Sequence, residues 1–579
     1  MNIQVNKNNR KVAPAKLPRN VYRALEDIVG PRWVSEDRAF VETYSKFILD
    51  IPGMIRKHVK DPTALPACVV LPESTDQVKS IVKVCYRYQI PLIPFTNGQF
   101  GCGTTSPNPT VILHMSRMNK ILDIDEENLT ATLQAYVDYG QLQAEAMKRN
   151  LWNGGTPGGG CLCKIASQFA SLGYFYTSSY YEGMQRNVVS AKVVLSDGEI
   201  LRLGSESIAG ISNFYDRGPG PDLTGLIRGS LGTSGIITEI TVKLHTWLGE
   251  SSLPEVPAGR PSLIDYQDAK YDTVPDPKRY KTFWIEFPDL DSETNAIHEI
   301  GYSEIALGVN CWSKENVAVM CSQTHEQAIA RLREGFIPTY LMYVVIAGLV
   351  SEKQLEYEEK VLRQIVKEND GIFLSKEYKP EVLEALSPWN FDWLRTTSFF
   401  RATRKNFYPI GEWFTMGIPN EVGPGLLKLY REGLKSYDGE LSIIDLADGS
   451  PNILNVMKGG RFCFAEALLW PSSIEKESLE VTLRHSLKGL ACMIANKLPT
   501  GISLTLGGVE PITSFFPEVG PNTHILMRKF RKVLDPRSIF SPGRQVYTEE
   551  ELKAVPEMVE KEINEVRSRY NLKSVVKNK

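Results

Sequence analysis

The stretch Gly229-Ser-Leu-Gly-Thr-Ser-Gly-Ile-Ile-Thr238 does most to decide the fold of this 579-residue chain. Three glycines recur at intervals of three residues, and an apolar run follows them. Glycine has no Cβ, so a backbone rich in it can approach a neighbouring group closely. Two interpretations are open: tight backbone packing beside a flat ligand, or a structural joint between a helix, a turn and a strand.

A glycine-rich loop earlier in the chain, Asn97-Gly-Gln-Phe-Gly-Cys-Gly-Thr104, directly follows a predicted strand, Pro91 to Thr96. We number the glycine loops in chain order, so that this is the first loop, Gly154–Gly160 is the second and Gly229–Thr238 is the third. Successive backbone N–H groups in such a loop can turn towards an anion, and a diphosphate is the natural occupant. Taken alone the pattern has little specificity, because plain turns contain similar glycine spacing. It gains weight only from the other loops.

Between these two lies Gly154-Gly-Thr-Pro-Gly-Gly-Gly160, in which five of seven residues are glycine. A flexible linker is one interpretation. Trp152 precedes the loop and an apolar, aromatic segment follows it, which favours a loop packed against a ligand. None of the three loops has the G-x-G-x-x-G fingerprint of dinucleotide-binding folds or the Walker A pattern.

In order and spacing, these motifs resemble the FAD-binding fold of the vanillyl-alcohol oxidase and p-cresol methylhydroxylase superfamily, which includes flavin-dependent D-lactate and glycolate dehydrogenases. The stretch from Gly229 to Thr238 is similar to the family's G-S-x-G-T-L-G-I-I-T. Four more segments match family motifs in the family order: Val70-Leu-Pro-Glu-Ser-Thr-Asp-Gln-Val78, Ser116-Arg-Met-Asn119, Val193-Val-Leu-Ser-Asp-Gly-Glu199 and Leu534-Asp-Pro-Arg-Ser-Ile-Phe-Ser-Pro-Gly-Arg544.

The resemblance implies an α+β fold, with a two-part FAD-binding domain of the p-cresol methylhydroxylase type and an α+β cap domain. We expect an N-terminal helical segment at 1–60, the FAD-binding domain at 61–247 and the substrate or cap domain at 248–515. Residues 516–579 would return to the FAD domain and end in a charged tail. The residues implied to contact FAD are Asn97, Gly98, Gln99, Phe100, Gly101, Cys102, Gly103, Thr104, Gly155, Gly159, Gly160, Gln168, Gly173, Gly183, Gly232, Thr233, Gly235, Ile237 and Arg544.

The candidate catalytic residues lie in the cap. Arg401, Arg404 and Tyr408 belong to a segment in which aromatic and basic side chains alternate. An arginine there can bind a substrate carboxylate through two hydrogen bonds, although a solvated strand face explains the pattern equally well. His485 is a cap-side candidate for proton transfer, with an ordinary surface position as its alternative.

Two departures from the family pattern bear on function. Hydroxy-acid dehydrogenases of the family commonly carry a histidine metal motif around G-D-G-N, whereas Ala447-Asp-Gly-Ser-Pro-Asn452 has no histidine on either side. We therefore expect no metal site, which weakens a 2-hydroxy-acid assignment. The first loop has no histidine to attach flavin covalently, while a tyrosine or a cap histidine such as His485 stays open as the attachment point.

Composition excludes several classes of function. Lys and Arg total 66 against 68 Asp and Glu, so no net charge attracts nucleic acid or acidic membranes. The chain shows no secretory signal and no apolar run of the roughly 20 residues that span a bilayer. Nine cysteines without a CxxC pair argue against an iron–sulfur cluster and a disulfide framework. A reducing cytoplasm is the expected location.

The predicted function is an FAD-dependent oxidoreductase that oxidises a hydroxy acid or an alcohol by hydride transfer to flavin N5. We favour a dehydrogenase that passes electrons to a protein partner, such as an electron-transferring flavoprotein or an iron–sulfur subunit. Two alternatives stay open: an aromatic-alcohol or alkylphenol oxidase that uses dioxygen, and a flavin-fold relay or scaffold subunit of a larger complex. An oligomer is compatible with the sequence.

Overall fold

A computed structural model describes residues 16–44, 65–96, 109–155, 162–249, 279–386, 410–419, 453–469, 522–542 and 564, with gaps at 172, 174, 219, 315–316, 319–324, 336 and 461. The described strands are β1 (Val34–Ser35), β2 (Cys68–Val70), β3 (Leu92–Phe95), β4 (Val111–His114), β5 (Ile121–Asp125), β6 (Thr130–Gln134), β7 (Leu151–Trp152), β8 (Val188–Val194), β9 (Ile200–Arg202), β10 (Ile236–Lys243), β11 (His245–Thr246), β12 (Tyr280–Phe287), β13 (Gly308–Ser313), β14 (Tyr340–Ala347), β15 (Ile372–Phe373), β16 (Ile410–Pro419), β17 (Ile453–Val456) and β18 (Phe462–Leu469).

The described α-helices are α1 (Arg19–Val29), α2 (Arg38–Thr43), α3 (Thr75–Tyr88), α4 (Tyr139–Ala146), α5 (Ile165–Ala170), α6 (Ser178–Tyr181), α7 (Thr224–Ile227), α8 (Leu290–Ser303), α9 (His325–Arg333), α10 (Glu352–Glu368), α11 (Pro380–Leu386) and α12 (Thr523–Leu534). In the part of the chain that the structure describes, none of the helices has the length and apolar character that crossing a membrane requires.

The first sheet has the strand order β1-β2-β4-β3, in which β2, β4 and β3 run parallel. Helix α3 connects β2 to β3. The sequence predicts that Ser74 caps this helix, and the Ser74 hydroxyl accepts the N–H of Gln77 at 3.2 Å. The helix buries Val78, Ile81 and Cys85, an apolar stripe at helical spacing. This unit directs the end of β3 into the first glycine loop, which lies outside the described residues.

The second sheet is antiparallel and has the order β5-β6-β10-β8-β9. The sequence predicts a hairpin turn at Ser196-Asp197-Gly198, and this turn joins β8 to β9. Gly198 takes a φ of +85°, and the Asp197 carboxylate accepts the N–H of Glu199 at 2.8 Å. The central strand β10 begins directly after the third glycine loop. A separate two-stranded ladder pairs β7 with β11 and so joins the residues that flank the second loop to the end of β10.

The third sheet has seven strands in the order β15-β12-β14-β13-β17-β18-β16 and is antiparallel throughout. Its strand β14 comes from the most apolar stretch of the chain, 337–350, whose sequence is compatible with a buried strand or a buried helix. Seven of the eight residues of β14 are buried. The sequence also predicts a helix from Ile474 to Asn496, which lies outside the described residues.

Candidate functional site

The third glycine loop is a joint between α7 and β10, as one of the two interpretations expects. Gly229 and Gly232 have φ angles of +70° and +75°, which favour glycine. A Cβ at Gly232 would lie 2.6 Å from Cγ of Pro94 on β3 and 3.7 Å from the Ser541 hydroxyl. The loop therefore packs backbone-first against the strand that enters the first glycine loop.

The C-terminal segment reaches the same strand. The N–H of Leu92 donates to the carbonyl of Ile539 at 2.7 Å, and the N–H of Ser541 donates to the carbonyl of Leu92 at 3.0 Å. The fully buried Asp535 carboxylate accepts the N–H groups of Ile539 and Phe540, which fixes this segment after α12. Three segments that are far apart in the sequence thus meet at β3.

The second loop is held by buried hydrogen bonds at its start. The Thr177 hydroxyl donates to the carbonyl of Gly154, and the Asn153 amide donates to the carbonyl of Gly155. A Cβ at Gly155 would lie 2.8 Å from Cβ of Phe175 and closer still to the Thr177 hydroxyl. The loop can therefore carry no side chain at this position without moving its neighbours.

Helix α5 links the second loop to the third. The N–H of Gly229 donates to the carbonyl of Phe169 at 3.1 Å, and the N–H of Leu231 donates to the carbonyl of Ala170 at 2.7 Å. At the end of the helix, the N–H of Gly173 donates to the carbonyl of Gln168, and a Cβ at Gly173 would lie 2.9 Å from Cβ of Gln168. The predicted residues Gln168 and Gly173 therefore contact each other.

A turn at residues 181–183 follows the second loop and is fixed by Asn187. The Asn187 amide donates to the carbonyls of Tyr181 at 2.7 Å and Gly183 at 2.9 Å. Its oxygen lies 2.9 Å from Nε2 of His245, which therefore donates the proton of that bond. Between the two carbonyls, Glu182 has a φ of +61° and a ψ of −134°, a conformation that non-glycine residues rarely adopt.

His245 packs on this turn as a neutral ring. Its ring centroid lies 4.3 Å from that of Tyr181. Burial, reinforced by Lys243 and Lys458, lowers the pKa of His245 to about 4, so the imidazole is uncharged at neutral pH. His114, at the end of β4, has its pKa lowered to about 4 by burial as well, and its Nδ1 lies 2.8 Å from the Tyr44 hydroxyl. Both histidines lie at predicted strand ends in apolar sequence, which favours a structural role, and their neutral state fits that role.

A buried ion pair that the sequence analysis missed stands next to the second loop. The Lys164 ammonium lies 2.9 Å from the Asp138 carboxylate, and their side chains are 8% and 13% exposed. The same ammonium lies 4.3 Å from the Tyr136 ring centroid. A lysine inside the otherwise apolar run from Leu162 to Ala166 is the sequence signal for it.

The predicted site residues divide into two groups. Gly155, Gln168, Gly173, Gly183, Gly232, Thr233, Gly235 and Ile237 are described and lie in or beside the second and third loops. The others lie outside the described residues: Asn97, Gly98, Gln99, Phe100, Gly101, Cys102, Gly103, Thr104, Gly159, Gly160, Arg401, Arg404, Tyr408, His485 and Arg544. Among the described side chains, no three of His, Cys, Asp or Glu come together as metal ligands would.

The loops fit a flat, polar cofactor. The buried polar atoms there that have no partner among the described residues include Asn153 Oδ1, Ser230 Oγ and Ser541 Oγ. Buried polar atoms nearly always find a partner, and a bound ligand can supply it. These atoms, and the glycines that exclude a Cβ, are features that a bound cofactor with polar groups can use.

Comparisons with known proteins identify this cofactor. Residues 66–204 match the family described as FAD binding domain. The chain is 33% identical over 550 residues to D-lactate dehydrogenase [cytochrome], mitochondrial, of Kluyveromyces lactis, a match that covers 90% of this chain and 83% of the relative. It is 31% identical over 252 residues to glycolate oxidase subunit GlcD of Bacillus subtilis. That second match covers 42% of this chain and only about half, 49%, of GlcD.

The fold is shared with p-cresol methylhydroxylase solved with substrate bound. That structure aligns with a TM-score of 0.68 at 15% sequence identity and covers 91% of this chain and 96% of the other. The predicted α+β fold, with its FAD-binding domain and cap, is thereby confirmed, as is FAD as the cofactor. This chain belongs to the FAD-dependent oxidoreductases with an FAD-binding domain of the p-cresol methylhydroxylase type.

Proposed function

We propose that this protein is an FAD-dependent dehydrogenase that oxidises a small hydroxy acid or alcohol and passes the electrons to a protein partner. The observation that carries the proposal is the match over 90% of the chain to the Kluyveromyces lactis relative. The name of that relative specifies a 2-hydroxy acid as substrate and a cytochrome as electron acceptor. Both features come to this chain as parts of the proposal.

For the cofactor, we propose that Asn97 to Thr104 bind the diphosphate and that the second and third loops bind the rest of FAD, with Arg544 closing the site. Bound FAD supplies the chemistry by accepting a hydride at N5. The described residues support this arrangement through the glycines at 155 and 232, where a Cβ would collide with a neighbour. A Gly101→Val variant should lose FAD, because the valine side chain would block the approach of the backbone to the diphosphate. A normal flavin content in that variant would contradict the assignment of this loop to the diphosphate.

The chain's own residues position the cofactor and substrate. Thr177 and Asn153 hold the second loop, and Asn187 with neutral His245 holds the turn at 181–183. Because the Asp138 carboxylate neutralises the Lys164 ammonium, this ion pair adds no net charge next to the second loop. In the cap, Arg401, Arg404 and Tyr408 are proposed to bind the substrate, and His485 is proposed to accept its proton.

The experiment is anaerobic bleaching of the purified holoprotein with D-lactate, glycolate, aromatic alcohols and alkylphenols. Bleaching by a hydroxy acid or alcohol supports the proposal. Failure of every compound to bleach bound flavin would instead indicate a relay or scaffold subunit. Mixing the reduced protein with air-saturated buffer then tests whether dioxygen is the electron acceptor. Flavin reoxidation much slower than turnover with an artificial acceptor supports a dehydrogenase. Reoxidation as fast as that turnover would make the protein an oxidase.

We also propose a reducing compartment, such as the cytoplasm. Cys68 and Cys85 are buried free thiols, which suits reducing conditions. The thiol state in freshly lysed cells, measured by alkylation under denaturing conditions, tests this: extensive disulfide formation would contradict it.

A further inference from the structure

Helix α12 presents apolar side chains to solvent, which is the reverse of the arrangement in α3 and α10. Those two helices direct an apolar stripe towards the core. In α12, Arg531 is a buried residue, at 7% exposure. Leu526, Phe530 and Val533 are instead 49%, 44% and 77% exposed. Their spacing of four and three residues places them on one face of the helix, so a continuous apolar stripe lies on the surface.

The buried side of α12 fixes the rotation of the helix about its axis. The Arg531 guanidinium donates to the carbonyl of Phe540 and lies 3.7 Å from the Asp535 carboxylate, which is fully buried. Asp535 also accepts the N–H groups of Ile539 and Phe540. Turning the apolar stripe inwards would break these buried bonds, and an unpaired buried charge is costly. The folded protein therefore keeps the stripe exposed.

Cationic side chains border the apolar stripe. Lys529 and Lys532 are exposed, and helical geometry places both on the same side of the stripe. The helix contains no aspartate or glutamate. The balanced total of 66 cationic and 68 acidic residues in the whole chain thus includes one helix surface that is cationic and apolar. We call this surface the α12 face; it consists of Ile525, Leu526, Lys529, Phe530, Lys532 and Val533.

The size and chemistry of the α12 face favour a lipid surface over a protein partner. Stable protein interfaces bury about 800 Å² on each partner and use roughly 20–30 residues a side. The α12 face has far fewer residues and lies on a helix of 12 residues. A bilayer needs no complementary shape: apolar side chains enter the boundary between headgroups and acyl chains, and lysines contact anionic headgroups. Leucine, phenylalanine and lysine on one helix are typical of such binding.

We propose that the α12 face binds an anionic phospholipid surface, with the helix axis parallel to the membrane plane. Leu526, Phe530 and Val533 insert below the headgroups, while Lys529 and Lys532 contact lipid phosphates. The proposal goes beyond the proposed function, because it concerns where the protein binds and not which compound it oxidises. It agrees with the proposed compartment, since the cytoplasmic leaflet carries anionic lipids.

The first test is co-sedimentation of the holoprotein with vesicles made of equal parts of phosphatidylcholine and phosphatidylglycerol. A Phe530→Gln/Val533→Gln variant should bind them at least tenfold more weakly than the wild type, because it loses two inserted apolar side chains. Its Tm and flavin content should be unchanged, since both side chains are exposed in the folded protein. Val350→Gln is the matched control: Val350 is also an exposed valine, at 85%, but lies outside α12, so this variant should bind as the wild type does.

A second test isolates the charge contribution. A Lys529→Gln/Lys532→Gln variant should bind the anionic vesicles roughly 30-fold more weakly, from the usual contribution of each lysine near an anionic surface. Added salt should weaken wild-type binding, and vesicles of phosphatidylcholine alone should bind weakly. If Phe530→Gln/Val533→Gln fails to fold, the lysine variant and Val533→Gln alone decide, because they leave Phe530 in place.

Three outcomes would overturn the inference. The first is a wild type that does not bind anionic vesicles, and the second is equal binding by the wild type and the folded variants of the α12 face. The third is a dimer that forms without lipid, that Phe530→Gln/Val533→Gln abolishes, and that does not bind vesicles; the α12 face would then be a contact between two copies of the chain. None of these results depends on whether any compound bleaches the flavin, so the proposed oxidation is tested separately.

Discussion

Replacing Gly155 with alanine tests whether the second glycine loop holds FAD. The added Cβ would lie 2.8 Å from Cβ of Phe175 and closer to the Thr177 hydroxyl, whereas ordinary contacts of a Cβ begin near 3.4 Å. Both neighbours are buried, at 0% and 2% exposure, so neither can swing into solvent. The loop itself must move, and the bond from Thr177 to the carbonyl of Gly154 is lost.

The size of the effect follows from these two changes. Overpacking a well-packed position typically costs about 1–3 kcal/mol. A lost intramolecular hydrogen bond adds about 1 kcal/mol. If the loop must return to its original position to bind FAD, a total of about 2–4 kcal/mol weakens binding by roughly 30- to 1,000-fold.

The assay is reconstitution of the apoprotein with FAD, followed by quenching of flavin fluorescence. Gly225→Ala is the matched control, because no described atom lies within 4 Å of a Cβ at Gly225, and alanine suits its helix α7. We expect wild-type affinity for the control and weak binding for Gly155→Ala. Wild-type affinity in Gly155→Ala, or an equal loss in the control, would refute the reasoning.

Three further predictions concern the turn at 181–183, protonation and metals. As pH falls from 6.5 towards 4, His245 becomes protonated in the unfolded chain but not in the folded protein, so up to about 3 kcal/mol of the free energy of unfolding is lost. The Tm of His245→Gln should therefore fall less than that of the wild type over this pH range, and parallel curves of Tm against pH for the two proteins would contradict this. Asn187→Leu removes the donor to the carbonyls of Tyr181 and Gly183 and should lower both Tm and flavin content, whereas normal flavin retention would argue against a role for the turn. Treatment with EDTA should leave substrate-dependent flavin reduction intact, and a loss reversed by zinc or manganese would refute the expectation of a metal-free cap.

Local sequence signals predicted much of the secondary structure. Ser74 begins α3 because its hydroxyl caps the first turn, and that interaction involves residues only three apart. The sequence of 337–350 is compatible with either a strand or a helix, because a continuous apolar run can form either element when it is buried. The structure makes it a strand, β14, because it lies between β12 and β13 in a sheet covered by other elements. Strand order of this kind depends on partners that are distant in the sequence.

The glycine loops could be located from the sequence, but the residues that hold them could not. Glycine spacing marked the loops and predicted close backbone contact, which Gly155 and Gly232 show. Nothing in the spacing indicated that Thr177 would bond to the second loop or that Asn310 would reach the carbonyl of Tyr176. Side-chain to backbone bonds across more than 20 residues depend on the fold, and buried amides have no periodic pattern that would reveal them.

The unusual backbone at Glu182 connects these observations. A non-glycine residue at a φ of +61° is unfavourable by itself and persists only where its surroundings fix it. Asn187 does so by bonding to the carbonyls on both sides, and His245 in turn fixes the Asn187 amide while staying neutral through burial. Because Asn187 is buried and bonds to both carbonyls and to His245, the turn is a rigid element beside the second loop. If bound flavin contacts this turn, as the proposed cofactor arrangement implies, a rigid element there would hold the ring without reorganising when the ring changes its charge.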